Sequence, residues 1–482
     1  MPDLRPIGYV IGLLISFLGM TMILPMAVDI IDQRSQWVSF AASALVSILT
    51  GGTMALSCAN AVRSGLNRQQ TFLLTISVWI AMPVFGALPF VLGEVELRSV
   101  DAFFEAMSGM TTTGATIFSG LENLPRGILL WRGILQWLGG IGIIIVAMAF
   151  LPELRVGGMQ IFRSEGFDTD GKILPRAGEI AQRISVIYFS LTLICALAYL
   201  VSGMNAFDAS VHAMTTISTG GFSNYDGSFA TFGRMTEYVA IVFMLLAALP
   251  FVRFVQLTAG NAKPLLRDSQ IQTFLLTALV LIACLSVWKL LEFGSASEES
   301  FRKIMFNSVA LLTGTGYVSA NYMNWGGFAV TLLFFTGLIG GCAGSTTCSI
   351  KIFRYQLLIA SVGVQLRRIR SPHGVFSPQY NGRVVSDEVL NSVMSFFVFF
   401  VVTLGIVAAA LSLTGLDFTT SISGAAASLA NIGPGLGAEI GPTGNYGQLT
   451  DAAKWILSAA MFMGRLELLV VFVILTRRFW RY

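Results

Sequence analysis

The sequence predicts an all-α polytopic membrane protein, and three observations carry that prediction. Of 482 residues, 55% are hydrophobic and only 12% are Asp, Glu, Lys or Arg, against ~25% charged in a soluble domain. Mean hydropathy is +0.74, too high for a water-soluble surface to be assembled from these residues. Apolar stretches long enough to cross ~30 Å of hydrocarbon recur along the whole chain.

The excluded classes follow from the same composition. A net charge of +4 is too small to imply a nucleic-acid partner. Cys58, Cys195, Cys284, Cys342 and Cys348 lie in or beside apolar segments without disulfide or ligand spacing, and two histidines are too few for a zinc site. No GxxxxGKS/T, HExxH or GxSxG string occurs. Neither an enzyme nor a cofactor resident in this chain is expected.

Taken in order, the spans are 7–31, 37–60, 71–92, 127–151, 184–203, 235–258, 271–293, 327–350, 389–414 and 452–476, ten in all. The first is too long for a cleaved signal segment and lacks a small-residue cleavage site, so it is read as retained. An even number of spans puts both termini on one side. With cytoplasmic termini, the inner loops and tails hold nineteen Lys/Arg, the outer loops and helix ends eight, and the spans three (Arg253, Lys289 and Arg465). The positive-inside rule therefore places both termini in the cytoplasm.

Four outer loops contain a half-length apolar segment followed by a Gly/Thr-rich string. These are 102–110 then TTTGAT (111–116), 209–216 then STGGF (218–222), 301–312 then TGTGY (313–317), and 418–430 then NIGPG (431–435). Each is too short to cross and too apolar for an exposed loop, which reads as re-entrant or buried. Span, half-helix, string, span is thus a fourfold repeat: 71–152, 184–258, 271–350 and 389–482, preceded by a two-helix unit at 1–60.

Irregular backbone at membrane depth survives only when buried in protein or lining a water-filled path. Four such loops can converge on one axis, each half-helix aiming the partial negative charge of its C-terminus inward, where it favours a cation. The strings can then turn carbonyls inward to replace the hydration shell of an ion. Glycine suits such a string because it tolerates unusual φ/ψ. One glycine per repeat anchors the alignment: Gly114, Gly220, Gly316 and Gly433. The competing reading is that these small residues only let helices pack closely.

This four-repeat pattern, with WRGILQWLGGIGIIIVAMAFLP (131–152) and GLIGGCAGSTTCSIK (337–351), resembles the Trk/Ktr/HKT superfamily of cation transporters. It is most similar to the membrane subunit of bacterial Trk potassium uptake. The resemblance implies a potassium-selective pore in the bacterial inner membrane, a homodimer, and a cytoplasmic nucleotide-binding regulatory subunit. It also implies a selectivity filter. The candidate coordinating backbone is then Thr112, Thr113 and Gly114, Ser218, Thr219 and Gly220, Gly314, Thr315 and Gly316, and Asn431, Ile432 and Gly433. Sodium-preferring relatives carry serine at the first filter glycine, so Gly114 points to potassium. Ile432 departs from the threonines of the other strings.

Gly337, Gly340, Gly341 and Gly344, followed by Ser345, Thr346 and Thr347, break a helix near mid-membrane, since glycine costs up to ~1 kcal/mol each in a helix interior. The family uses the corresponding loop as an intramembrane gate; a kinked, close-packed helix is the alternative. Arg465 lies within the last span. A charge there costs ~2.5–3.5 kcal/mol on insertion scales and should face a cavity, a partner or a pore. The family places an arginine here below the filter. The alternative is a salt bridge to Glu467 or Glu105. Asp101, Asp208 and Asp417 read as N-caps of three half-helices.

Two further readings compete with a potassium pore. One is a sodium-coupled or weakly selective monovalent cation transporter. The other, an intramembrane enzyme, is disfavoured because the half-helices carry no nucleophile–base pair or metal-ligand set.

Overall fold

A computed structural model describes residues 3–61, 67–149, 158, 177–294, 297–477 and 479–481. Arg63, Arg155, Arg163, Lys172, Arg176 and Arg478, which contribute to the expected charge bias, lie outside those residues. Helices dominate the described residues, whose one sheet is a short hairpin, β1 (Gln379–Tyr380) against β2 (Arg383–Val384), in the loop after α16.

The N-terminal helices are α1 (Arg5–Thr21), α2 (Ile23–Ile31) and α3 (Trp37–Cys58). Gly12 and Gly51 let α1 and α3 approach to backbone contact: a Cβ on Gly12 would stand 2.6 Å from the Gly51 carbonyl oxygen. Such contacts between small residues are how helices associate where lipid removes the hydrophobic drive.

The remaining helices follow one order four times. First come α4 (Arg68–Gly86) with the short α5 (Leu88–Val91), half-helix α6 (Ser99–Met110) and α7 (Arg126–Ala149). Next are α8 (Ala177–Val201), half-helix α9 (Ala206–Ile217), and α10 (Arg234–Ala247) with α11 (Phe251–Thr258). After the connector α12 (Lys263–Arg267) come α13 (Ser269–Phe293), half-helix α14 (Glu298–Leu312), α15 (Gly327–Gly337) and α16 (Ile352–Arg370). The last set is α17 (Asp387–Ser412), half-helix α18 (Phe418–Leu429), the short α19 (Gly437–Ile440), and α20 (Asp451–Arg465) with α21 (Leu469–Leu475). Burial sorts the spans. The apolar window of α7 is 67% buried, whereas those of α8 and α13 are 22% buried and present their apolar side chains to lipid.

Three of the ten expected spans are sharply bent or end part-way. Among the described residues, seven segments are long and apolar enough to cross, and two more qualify only as bent pairs, α10–α11 at 90° and α20–α21 at 107°. The first bend has Pro250 at its corner, which lacks an N–H and disfavours continuing the helix. The second passes through Glu467 (φ 59°) and Leu468 (φ 47°), two successive left-handed residues. The stretch 327–350 is an 11-residue helix that ends at Gly337, followed by non-helical backbone.

That non-helical backbone, 338–351, pairs the groups freed by the other breaks. Cys342 N–H donates to Ala248 O (3.0 Å), Phe251 N–H to Gly344 O (2.9 Å), and Ser349 N–H to Ala430 O (3.1 Å). Backbone freed at membrane depth must find such partners.

Candidate functional site

Each half-helix ends the same way. The residues after the last turn are Thr111, Ser218, Thr313 and Ala430. The next residue is left-handed in every case: Thr112 (φ 52°), Thr219 (φ 51°), Gly314 (φ 70°) and Asn431 (φ 50°). In three strings the following N–H reaches back five residues: Thr113 to Ser108 O, Gly220 to Thr215 O, and Ile432 to Ala427 O, at 2.8–2.9 Å. This is a Schellman closure, which satisfies carbonyls at a helix C-terminus. A left-handed threonine is a genuine outlier, held here by the surrounding bonds.

Two residues beyond each left-handed position stands a second one, now always glycine: Gly114 (φ 83°), Gly221 (φ 78°), Gly316 (φ 75°) and Gly433 (φ 100°). The alignment expected from sequence put Gly220 in this place. The backbone puts Gly221 there, because the register is counted from the helix end at Ile217, and Gly220 takes the position of Thr113, Thr315 and Ile432.

The four glycines close a ring. A Cβ on Gly114 would collide with the carbonyl oxygen of Gly220, one on Gly221 with that of Thr315, and one on Gly316 with that of Ile432. A Cβ on Gly433 would stand 2.8 Å from that of Thr113. Each string thus presses its glycine against a carbonyl of the next, in the order one, two, three, four and back to one. All four glycines line one cavity of about 130 Å³, together with Arg132 and Asp226. Close packing of helices alone does not produce this cyclic order.

Around the ring, side chains lock the strings from behind. Thr111 and Thr113 share a hydroxyl hydrogen bond at 2.8 Å, as do Thr313 and Thr315. Asn431 Nδ2 donates to Thr113 Oγ1 (2.8 Å), joining the fourth string to the first. Tyr446 Oη donates to Gly433 O (2.7 Å). Buried Glu105 accepts from Arg132 Nε (2.8 Å) and Ile117 N–H (2.9 Å), while Arg132 Nη1 donates to Ser223 O (2.9 Å). Gln136 Nε2 donates to Gly220 O (2.6 Å), and its Oε1 accepts from Phe222 N–H (3.0 Å). Sequence reasoning missed Arg132 and Gln136 as site residues. Their signal was two polar side chains four apart, on one face of an otherwise apolar span.

Against the ring on the side away from the cavity lies the loop 338–351, which contains Gly340, Gly341, Gly344, Ser345, Thr346 and Thr347. Cys348 Sγ comes within 3.8 Å of Thr112 Oγ1. Arg465 is buried (2% exposed) and reaches this loop, donating from Nη1 to Thr346 O (3.4 Å) and Cys348 Sγ, and from Nη2 to Gly139 O (3.0 Å). The alternative of a salt bridge to Glu467 or Glu105 does not hold. Glu467 pairs with Arg354 and Glu105 with Arg132, and among the described residues no carboxylate pairs with Arg465. Lys351 Nζ donates to Thr347 O and Oγ1. Two buried cations therefore bracket the loop segment under the ring.

Of the expected N-caps only Asp417 acts as one, accepting from Thr419 N–H (3.0 Å). Asn205 caps α9 in place of Asp208. Asp101 lies in the first turn of α6 and pairs with Lys454 and Arg98. Groups of three or more His, Cys, Asp or Glu able to hold a metal are absent among the described residues. The polar groups that converge are backbone carbonyls, which suit a weakly held alkali cation.

Comparison with known proteins gives one answer. The family model described as TrkH, cation transport protein, matches residues 35–482. The potassium uptake protein TrkI of Halomonas elongata is 42% identical over 478 residues, covering 99% of this chain and 97% of its own length. TrkH of Escherichia coli K12 is 36% identical, covering 99% of each chain. The crystal structure of the potassium transporter TrkH from Vibrio parahaemolyticus superposes with a TM-score of 0.91 at 32% identity, covering all of both chains.

Proposed function

The chain belongs to the TrkH family of cation transport proteins, and on that premise we propose that it takes up potassium across the bacterial inner membrane. The ring of Thr113, Gly220, Thr315 and Ile432 carbonyls, spaced by Gly114, Gly221, Gly316 and Gly433, acts as the selectivity filter. The observation that carries this reading is the cyclic contact of each glycine with the next string's carbonyl. Four carbonyls around one axis can replace the water around a dehydrated potassium ion.

Below the filter, the loop 338–351 and Arg465 form the gate. A fixed cation next to the path opposes a permeating one, so conduction requires both to move together. The switch would come from a cytoplasmic nucleotide-binding regulatory subunit, with both termini on that side and two copies of this chain in the assembly. The relatives named as parts of a Trk system support a multi-component assembly. Flux into proteoliposomes of the purified protein, with partner and nucleotide supplied, tests the proposal. Uptake of potassium or rubidium is the expected result. No flux with any alkali cation would remove the transport reading.

A further inference from the structure

The second string differs from its neighbours at one position. Strings one and three carry Thr113 and Thr315 there, each hydroxyl paired with that of the threonine two residues before it. String two carries Gly220, preceded at the matching distance by Ser218. The space a side chain would fill is taken: a Cβ on Gly220 would overlap the carboxamide of Gln136, which is fully buried. That carboxamide, reaching in from α7, bonds Gly220 O and Phe222 N–H, the two backbone groups on either side of Gly221.

We infer that Gln136 is a positioning residue that sets ion selectivity by standing in for the threonine the second string lacks. The inference rests on the potassium-filter reading above. Two effects act in one direction. The bidentate bridge fixes the backbone around Gly221, whose Cβ position is taken by the Thr315 carbonyl, and so resists contraction of the ring around a smaller ion. The amide N–H on Gly220 O also lowers the negative field that this oxygen offers a cation. Weaker-field ligands discriminate against sodium, whose dehydration costs more than that of potassium.

The test is the bi-ionic reversal potential of the full chain, with its partner, in planar bilayers. Gln136→Met keeps the length and removes both hydrogen bonds. Its potassium-over-sodium permeability ratio should fall about five- to tenfold, the effect of roughly one net hydrogen bond. Gly220→Ala, which crowds out the carboxamide while leaving Gln136 in place, should shift the ratio the same way if the methionine variant fails to fold. The double variant Gln136→Ala/Gly220→Thr, in which the new hydroxyl can meet Ser218, should restore the ratio to within about twofold. A merely structural role would lower yield in all three without this pattern. A selective parent with an unchanged ratio in folded Gln136→Met, or a folded double variant that recovers nothing, overturns this inference alone. A parent that passes no alkali cation overturns the transport reading and this inference with it.

Discussion

Arg465, at the last turn of α20, donates from Nη2 to the carbonyl of Gly139 on α7 at 3.0 Å, while Nη1 holds the loop at Thr346. Gly139 permits the approach of this helix to the first string, since a Cβ there would collide with the Met110 carbonyl. One guanidinium thus ties the bend of the fourth repeat, the loop of the third and the second helix of the first.

Replacing Arg465 with alanine should raise potassium flux. At an effective dielectric of ~20, a unit charge on the order of 8 Å away would oppose a permeating cation by about 2 kcal/mol, so an increase of roughly thirtyfold is expected. Single-channel or liposome flux, normalised to folded protein, measures it. Flux that falls with unchanged yield would place Arg465 in support of conduction instead.

Deleting Gly341–Thr347 should increase flux and weaken its dependence on the proposed regulatory subunit. The deletion leaves Ala248 O and Phe251 N–H without their present partners, which costs stability unless water enters. Nucleotide titration of flux reads the outcome. Regulation that persists unchanged in a well-folded deletion would put the gate elsewhere.

Gly221→Ala should reduce potassium uptake at least tenfold. The left-handed φ costs ~1–2 kcal/mol for any L-residue, and the new Cβ must also displace the Thr315 carbonyl. Gly203→Ala is the control, because Gly203 is left-handed too (φ 107°) with nothing within 4 Å of its Cβ position. Equal effects from the two substitutions would mean that backbone strain, and not the ring, is responsible.

Arg132→Met should destabilise the protein by ~3–5 kcal/mol, because it leaves the buried Glu105 carboxylate without its cation, with the Ile117 N–H still donating to it. Thermal unfolding in detergent reports the loss. Adding Glu105→Gln to Arg132→Met should recover part of it, since the remaining group is then neutral.

Much of this architecture is legible in the residues because its signals are local. Hydropathy marks the spans, half-length apolar runs mark α6, α9, α14 and α18, and Gly/Thr strings follow each of them. The register of the second string was not legible. Gly220 and Gly221 are adjacent, and the choice between them depends on where α9 ends, a boundary that periodicity leaves open by a turn. The bend at Glu467 and Leu468 was equally hidden, since neither residue is a helix breaker and the Arg354 partner of Glu467 lies far away in the sequence. Arg465 showed as a charge in lipid, but its carbonyl and thiol partners come from other repeats and leave no mark near it in sequence. Gln136 is placed only by the fold, which sets its carboxamide where a side chain at Gly220 would stand.

The central claim is that the ring built on Gly114, Gly221, Gly316 and Gly433 selects potassium, and the bi-ionic reversal potential of the parent and Gly114→Ser in the same bilayers tests it most directly. A side chain at Gly114 must push against the Gly220 carbonyl, which enlarges and disorders one quarter of the ring. The parent should reverse close to the potassium equilibrium potential, and Gly114→Ser should shift toward that of sodium, a tenfold change in permeability ratio corresponding to ~1.4 kcal/mol. Identical reversal potentials for the two proteins, or a parent that does not distinguish the ions, would contradict the account.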